Sequence, residues 1–80
     1  MTKYYYYRVE CVSYERMELM KKMVKLFDEI EIAEIEENTI YEDGLWYHGW
    51  YVRVRIDVMK YNNETAVFIN GFDMEMEEIL

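Results

Sequence analysis

From Trp50 to Met59 the chain alternates without interruption, with Trp50, Val52, Val54, Ile56 and Val58 on one parity and Tyr51, Arg53, Arg55, Asp57 and Met59 on the other. Successive side chains of a strand point to opposite faces, so this stretch specifies a long strand with one face in a core and a mixed polar face outside it. Such a strand needs an apolar layer packed on one side only. The chain supplies it in a second pattern with a different period.

Ser13 is placed to cap a helix running from about Tyr14 to Ile30, with Glu15 in its first turn. At 100° per residue, Met17, Leu19, Met20, Met23, Val24, Leu26, Phe27 and Ile30 fill one half of the wheel, and only Arg16 intrudes. Glu18 with Lys22 and Lys25 with Glu29 decorate the other half as i,i+4 pairs. Before the helix, Tyr5, Tyr7, Val9 and Cys11 alternate with Tyr4, Tyr6, Arg8 and Glu10, which suits a first strand over residues 4–12.

After the helix, residues 32–42 lead into Asp43-Gly44, a dipeptide favoured in two-residue hairpin turns because both positions tolerate positive φ. Asn62-Asn63 is the next expected turn. Two-residue turns fix the register. Around the first, Tyr41 opposes Trp46, Ile35 opposes Val52, Ala33 opposes Val54, Glu34 opposes Arg53 and Glu36 opposes Tyr51, with a bulge at Gly49 as the feature that would shift these pairs. Around the second, Val58 opposes Val67 and Ile56 opposes Ile69. The expectation is an α+β fold in two layers. One amphipathic helix packs on a mainly antiparallel four-stranded sheet in the order β-α-β-β-β, with the first strand at an edge and residues 1–80 forming a single domain. In the tail, the alternation of Phe72, Met74 and Met76 with Asp73, Glu75 and Glu77 favours a strand extension, against a helical turn through Met76, Ile79 and Leu80.

At 80 residues a domain buries roughly 60 to 65% of the surface its unfolded chain exposes, and Cys11 is the only cysteine, so no internal disulfide supplements the core. Self-association as a homodimer is a natural remedy. The N-terminus runs from Met1-Thr2-Lys3 into four tyrosines without an apolar signal core, and no stretch has the apolar length of a membrane span, so a soluble cytoplasmic protein is expected.

The net charge of −8 is unevenly distributed. Eight acids and no base lie between Asp28 and Asp43, four more acids lie at Asp73, Glu75, Glu77 and Glu78, and the remaining chain carries all nine bases against five acids. Such a layout repels phosphates and anionic lipid while attracting basic protein surfaces.

Catalytic chemistry has little to work with. Cys11 lies on the apolar parity of its strand, where a small inert core residue is expected, and His48, on the parity of Trp46 and Trp50, suits a rim or core position bonded to backbone. A lone His makes no zinc site, the acids lack the spacing of a Ca²⁺ loop, and Gly44, Gly49 and Gly71 are too isolated to form a phosphate loop. No catalytic residue, metal or cofactor is expected.

Two binding surfaces remain. The sheet face away from the helix combines Tyr4, Tyr6, Arg8, Tyr51, Arg53, Arg55 and Phe68, and aromatics interleaved with Arg can stack single-stranded bases or a small ligand. Net charge opposes that use. The acidic run is either a solvated face that blunts an edge strand or a binding surface. Carboxylates projecting from every second residue of a strand lie ~6.6 Å apart, a spacing comparable to that of phosphates along a nucleic acid strand.

In its shortness, its richness in Tyr and Glu, its α+β pattern and its lack of catalytic motifs, the chain resembles small acidic phage proteins that block host defence, among them anti-CRISPR and anti-restriction inhibitors. The resemblance lies in composition and charge layout and carries over no binding residue. It implies a viral protein that inhibits a nucleic-acid-binding effector, in part by mimicking nucleic acid. From the residues themselves, the expected contacts to a basic protein partner are Glu31, Glu34, Glu36, Glu37, Glu42 and Asp43, then Glu75, Glu77 and Glu78, with Tyr41, Trp46 and Tyr47 as aromatic anchors.

Overall fold

Alternating burial from Tyr7 to Cys11 marks the inner end of the first strand of the computed structural model, which describes residues 2–77. The elements are β1 (Tyr4–Cys11), α1 (Tyr14–Val24), β2 (Ile30–Glu42), β3 (Leu45–Asp57), a 3₁₀ turn (Val58–Lys60), α2 (Asn63–Gly71) and β4 (Glu75–Met76). The fold is α+β, with two helices and one open antiparallel sheet in the order β2-β3-β1-β4. Central β3 carries the clearest alternation in the sequence because both its edges are paired and its helix-side face is buried from Val52 to Ile56. Val52, Val54 and Ile56 have no exposed surface.

Ser13 caps α1 as expected, accepting from the Arg16 N–H at 3.2 Å. The helix stops at Val24, six residues short of the expected Ile30. No Gly or Pro signals that stop. Packing imposes it, since a tightened last turn (Leu26 N–H to Met23 O, Phe27 N–H to Val24 O) turns the Phe27 ring inward to lie 5.1 Å from that of Phe68. Ile30 becomes the first residue of β2, and Leu26, expected on the buried half, is exposed.

The larger correction concerns residues 58–71. Asn62 and Asn63 do not turn a hairpin, Val58 does not oppose Val67, and Ile56 pairs with Tyr5 and Ile30 instead of Ile69. Asn62 is an N-cap. Its side chain accepts from the Glu64 and Thr65 N–H groups, and Thr65 Oγ1 accepts from the Asn62 N–H in return, a capping box that starts α2. The topology is therefore β-α-β-β-α-β. Phe68, expected on the outer sheet face, lies in the core with Ile69 and Phe72 because the run Ala66–Ile69 is helical and buries at i,i+3 and i+4 spacing. The β-branched composition of that run is overridden by tertiary burial.

Asp43 and Gly44, at φ 51° and 79°, make the expected two-residue turn between β2 and β3. Tyr41 pairs with Trp46, Ile35 with Val52, Glu34 with Arg53 and Glu36 with Tyr51. The bulge falls at Ala33, which Ile32 displaces as the partner of Val54, while the ladder is regular through Gly49. At Gly49 an added Cβ would sit 2.5 Å from Ile40 Cδ1 and 2.7 Å from the Cys11 carbonyl oxygen. The absent side chain is what lets Ile40 bury to 1% exposure on an otherwise polar face.

β1 is interior, between β3 and β4. Among the described residues, the tail extends the sheet over Glu75–Met76, paired with Arg8 and Tyr7, after a positive φ at Asp73 reverses the chain. The helical alternative through Ile79 and Leu80 falls outside the described residues. One core cluster, built from Met17, Met20 and Val24 of α1, Phe68 and Ile69 of α2 and the inward residues of β1 and β3, holds the two layers together. Each such residue contributes roughly 1.5–3 kcal/mol by leaving water.

Candidate interaction surface

The open face of the sheet carries a ladder of cation–π contacts. In the β1–β3 register Arg8 lies directly opposite Arg53, a juxtaposition of like charges that destabilises a flat pair. The side chains resolve it by leaning diagonally. The Arg8 guanidinium lies 4.1 Å from the centroid of Tyr51, Arg53 lies 4.4 Å from that of Tyr6, and Arg55 lies 4.5 Å from that of Tyr4. Two of these arginines are also bound to carboxylates, one from β2 and one from the residue after β4. Arg53 Nε donates to Glu77 Oε2 at 2.5 Å, and Arg55 Nε donates to Glu31 Oε2 at 2.7 Å, which raises the Arg55 pKa further above its ordinary value. Three ring faces that could stack a base are thus already covered from within.

The acidic residues are divided by this arrangement. Glu31 shares the open face with Glu34 and Glu36 although its parity differs, because the extra residue at Ala33 shifts the alternation by one. Glu37 lies on the helix side and is bonded to His48, whose exposed ring meets a carboxylate instead of the expected backbone group. Glu75 lies opposite Arg8, and Glu78 is outside the described residues. Among the described residues, Glu34, Glu36, Glu42, Asp43 and Glu75 have no ion-pair partner, while Glu31, Glu37 and Glu77 are engaged. The free carboxylates of β2 and its turn therefore fall in two groups, Glu34 with Glu36 in mid-strand and Glu42 with Asp43 at the turn, separated on the open face by Asn38 and the buried Ile40.

At that turn Tyr41 and Trp46 form an exposed aromatic pair, with ring centroids 5.0 Å apart and Trp46 at 70% exposure. They continue a row along the helix-side face, where His48 packs on Trp50 at 5.1 Å and Trp50 on Tyr14 at 5.8 Å. The expected third anchor, Tyr47, is half-buried and points to the other face, opposite Ile40. No periodicity in the sequence marks Tyr14 and Trp50 as members of this row, because their proximity depends on where α1 crosses the sheet.

Two cavities border the acids. One of about 330 Å³ on the open face is lined by Arg8, Glu34, Glu36, Tyr51, Arg53 and Glu77. Another of about 510 Å³ lies where Arg8, Glu10, Arg16, Glu42, Asp73 and Glu75 converge. Both mix acids with bases, and among the described residues no group of three or more His, Cys, Asp or Glu is arranged to hold a metal ion. Cys11 is fully buried and its thiol pKa is pushed up by that burial, opposed in part by Arg16. No helix is long and apolar enough to cross a membrane among the described residues.

No family model matches the chain, and neither a curated protein nor a solved structure matches it.

Proposed function

We propose that this chain is a noncatalytic interaction protein whose β2 strand and β2–β3 turn bind a basic surface on a protein partner. The supporting observation is that Glu34 and Glu36 on the open face, and Glu42 with Asp43 at the turn, are unpaired among the described residues, with the exposed Tyr41–Trp46 pair at the same turn on the helix-side face. Aromatic anchors beside charges of one sign are the composition of a binding centre with a steering rim. A nucleic-acid-binding effector, whose channel is lined by Lys and Arg, is the kind of partner this surface fits, and occupying that channel would inhibit it. The internal saturation of the Tyr/Arg face argues against single-stranded nucleic acid as the ligand.

The test is affinity capture with the wild-type chain and with a Glu34→Gln, Glu36→Gln, Glu42→Gln variant, at low salt and at about 0.5 M salt, where screening extends over only a few ångströms. The reading expects basic, nucleic-acid-binding proteins on the wild type alone and release at high salt. Partners indifferent to both changes overturn it.

A further inference from the structure

β2 is an edge strand of 13 residues, and its free side faces an apolar groove against α1. Edge strands of this length are templates for another strand, and proteins blunt them with charge or bulges. Here the blunting is incomplete, and the incomplete part is specific. The turn-closing pair Glu42–Leu45 of a two-residue hairpin exchanges ladder hydrogen bonds, so alternate residues Tyr41, Thr39, Glu37 and Ile35 direct their N–H and C=O groups away from β3. At Thr39 that outward N–H is taken by the Asn38 side chain, donating to Oδ1 at 2.8 Å. At Ala33 the bulge ends the regular ladder on the other side. The segment between, residues 34–38, is left regular, with the outward backbone groups of Ile35 and Glu37 available.

The side chains around this window define what could pair with it. On the open face Glu34 and Glu36 project without ion-pair partners among the described residues. On the other face Ile35 is exposed beside a groove of about 330 Å³ floored by Val24, Phe27 and Ile32, with Lys21, Lys25 and the Arg55-bound Glu31 at its rim. A second copy of β2 fits poorly, since self-pairing would set the Glu34 and Glu36 carboxylates of each chain against those of the other. We infer that residues 34–38 accept an extended peptide by strand addition, one that alternates basic side chains over Glu34 and Glu36 with apolar side chains in the groove beside Ile35. The lysines at the groove rim restrict the basic side chains to the open face, which gives the site its direction. This inference rests on the proposed acidic interaction role and specifies its mode.

The probe is a fluorescein-labelled peptide of about six residues, the usual strand length, alternating Lys and Val, followed by anisotropy. Comparison peptides are the same sequence N-methylated on the residues that would pair with Ile35 and Glu37, and a Glu-Val peptide. Ile35→Pro is the decisive variant, because a proline there removes an outward N–H that β3 does not use. Circular dichroism establishes that this variant is folded, and Ile35→Lys, which keeps the N–H but charges the groove, serves as the second variant. The expected result is binding of the Lys-Val peptide alone, weakened about tenfold or more by N-methylation and by Ile35→Pro, as loss of main-chain hydrogen bonds requires. Equal binding of the N-methylated peptide overturns strand addition while leaving the acidic-surface reading intact. Binding unaffected by Glu34→Gln and Glu36→Gln but lost in Ile35→Pro overturns the charge rule for both. No binding of the Lys-Val peptide, or a wild-type dimer that Ile35→Pro dissociates, overturns the inference by leaving the edge unused or giving it to a second copy.

Discussion

The Thr65 hydroxyl donates to Glu29 Oε1 at 2.9 Å, joining the first turn of α2 to the connection between α1 and β2 across 36 residues. Thr65 is also the one fully buried polar residue of the core among those described, and the same oxygen accepts from the Asn62 N–H. A single hydroxyl thus closes the capping box and ties the second helix to the sheet.

Replacing Thr65 by Val keeps the shape and removes both bonds. The expected loss is about 1–3 kcal/mol, combining the lost return bond of the capping box with the lost tie to Glu29, measured as a lower urea midpoint at unchanged slope. Glu29→Gln, which keeps an acceptor, should cost less than about 1 kcal/mol. Equal losses in the two variants would show that the carboxylate charge, not the hydroxyl geometry, holds the helix.

Gly49→Ala places a Cβ within 2.5 Å of Ile40 Cδ1 and 2.7 Å of the Cys11 carbonyl. Overpacking of this kind costs about 1–3 kcal/mol. Ile40→Val should restore part of that loss, because one of the two clashes is with a side chain. Additive losses in the double variant would place the strain entirely at the backbone of β1.

Stability should fall at alkaline pH. Burial raises the Cys11 thiol above its ordinary value of 9.0, and burial, with Tyr61 and Tyr5 adding to it, raises the Tyr7 phenol above 10.0. Both groups hold their protons longer when folded, so between the unfolded and folded pKa the native state binds more protons and stability decreases as pH rises. The Cys11 part is intact below about pH 9 and the Tyr7 part below about pH 10, each being lost as pH rises through the raised folded value, with the Cys11 part absent in Cys11→Ala. Thiol labelling of the native chain should be correspondingly slow and should accelerate only with denaturant. Fast labelling at neutral pH would contradict the buried position.

Trp46 and Tyr41 pack against each other at a tilt outside the core. Trp46→Ala should change stability by less than about 1 kcal/mol, the range of exposed cross-strand pairs, while removing most of the affinity for a basic partner. Unfolding monitored by circular dichroism and capture of the partner separate the two effects. A variant that binds as well as wild type would confine recognition to the carboxylates.

Much of the fold was legible where a local signal and the tertiary demand agreed. The alternation from Trp50 to Asp57, the Asp43-Gly44 turn, the Ser13 cap and the pairs Tyr41–Trp46, Ile35–Val52 and Glu34–Arg53 all follow from periodicity or turn chemistry and recur in the structure. At Asn62-Asn63 the residues favour a turn and a helix cap equally, and the β-branched run behind them favours a strand. Thr65, three residues after Asn62, was the available clue to a capping box.

Of the candidate site, the sequence located the acids and the aromatic pair but not which of them are free. Glu31 and Glu77 are spent on Arg55 and Arg53, each 24 residues away; the first pair depends on the bulge that re-registers β2 on β3, and the second on the chain beyond β4 reaching across β1. The bulge at Ala33 sets the face of every residue before it and has no signature in composition.

The sequence by itself determined the long central strand, the first hairpin, the amphipathic face of α1 and the segregation of charge, because each is a property of neighbours along the chain. Only the tertiary structure decided where α1 ends, that residues 63–71 are helical, that β1 lies inside the sheet, and which carboxylates face solvent unpaired. Those outcomes depend on contacts between distant residues, whose combined burial and pairing outweigh the few tenths of a kcal/mol by which local propensities differ.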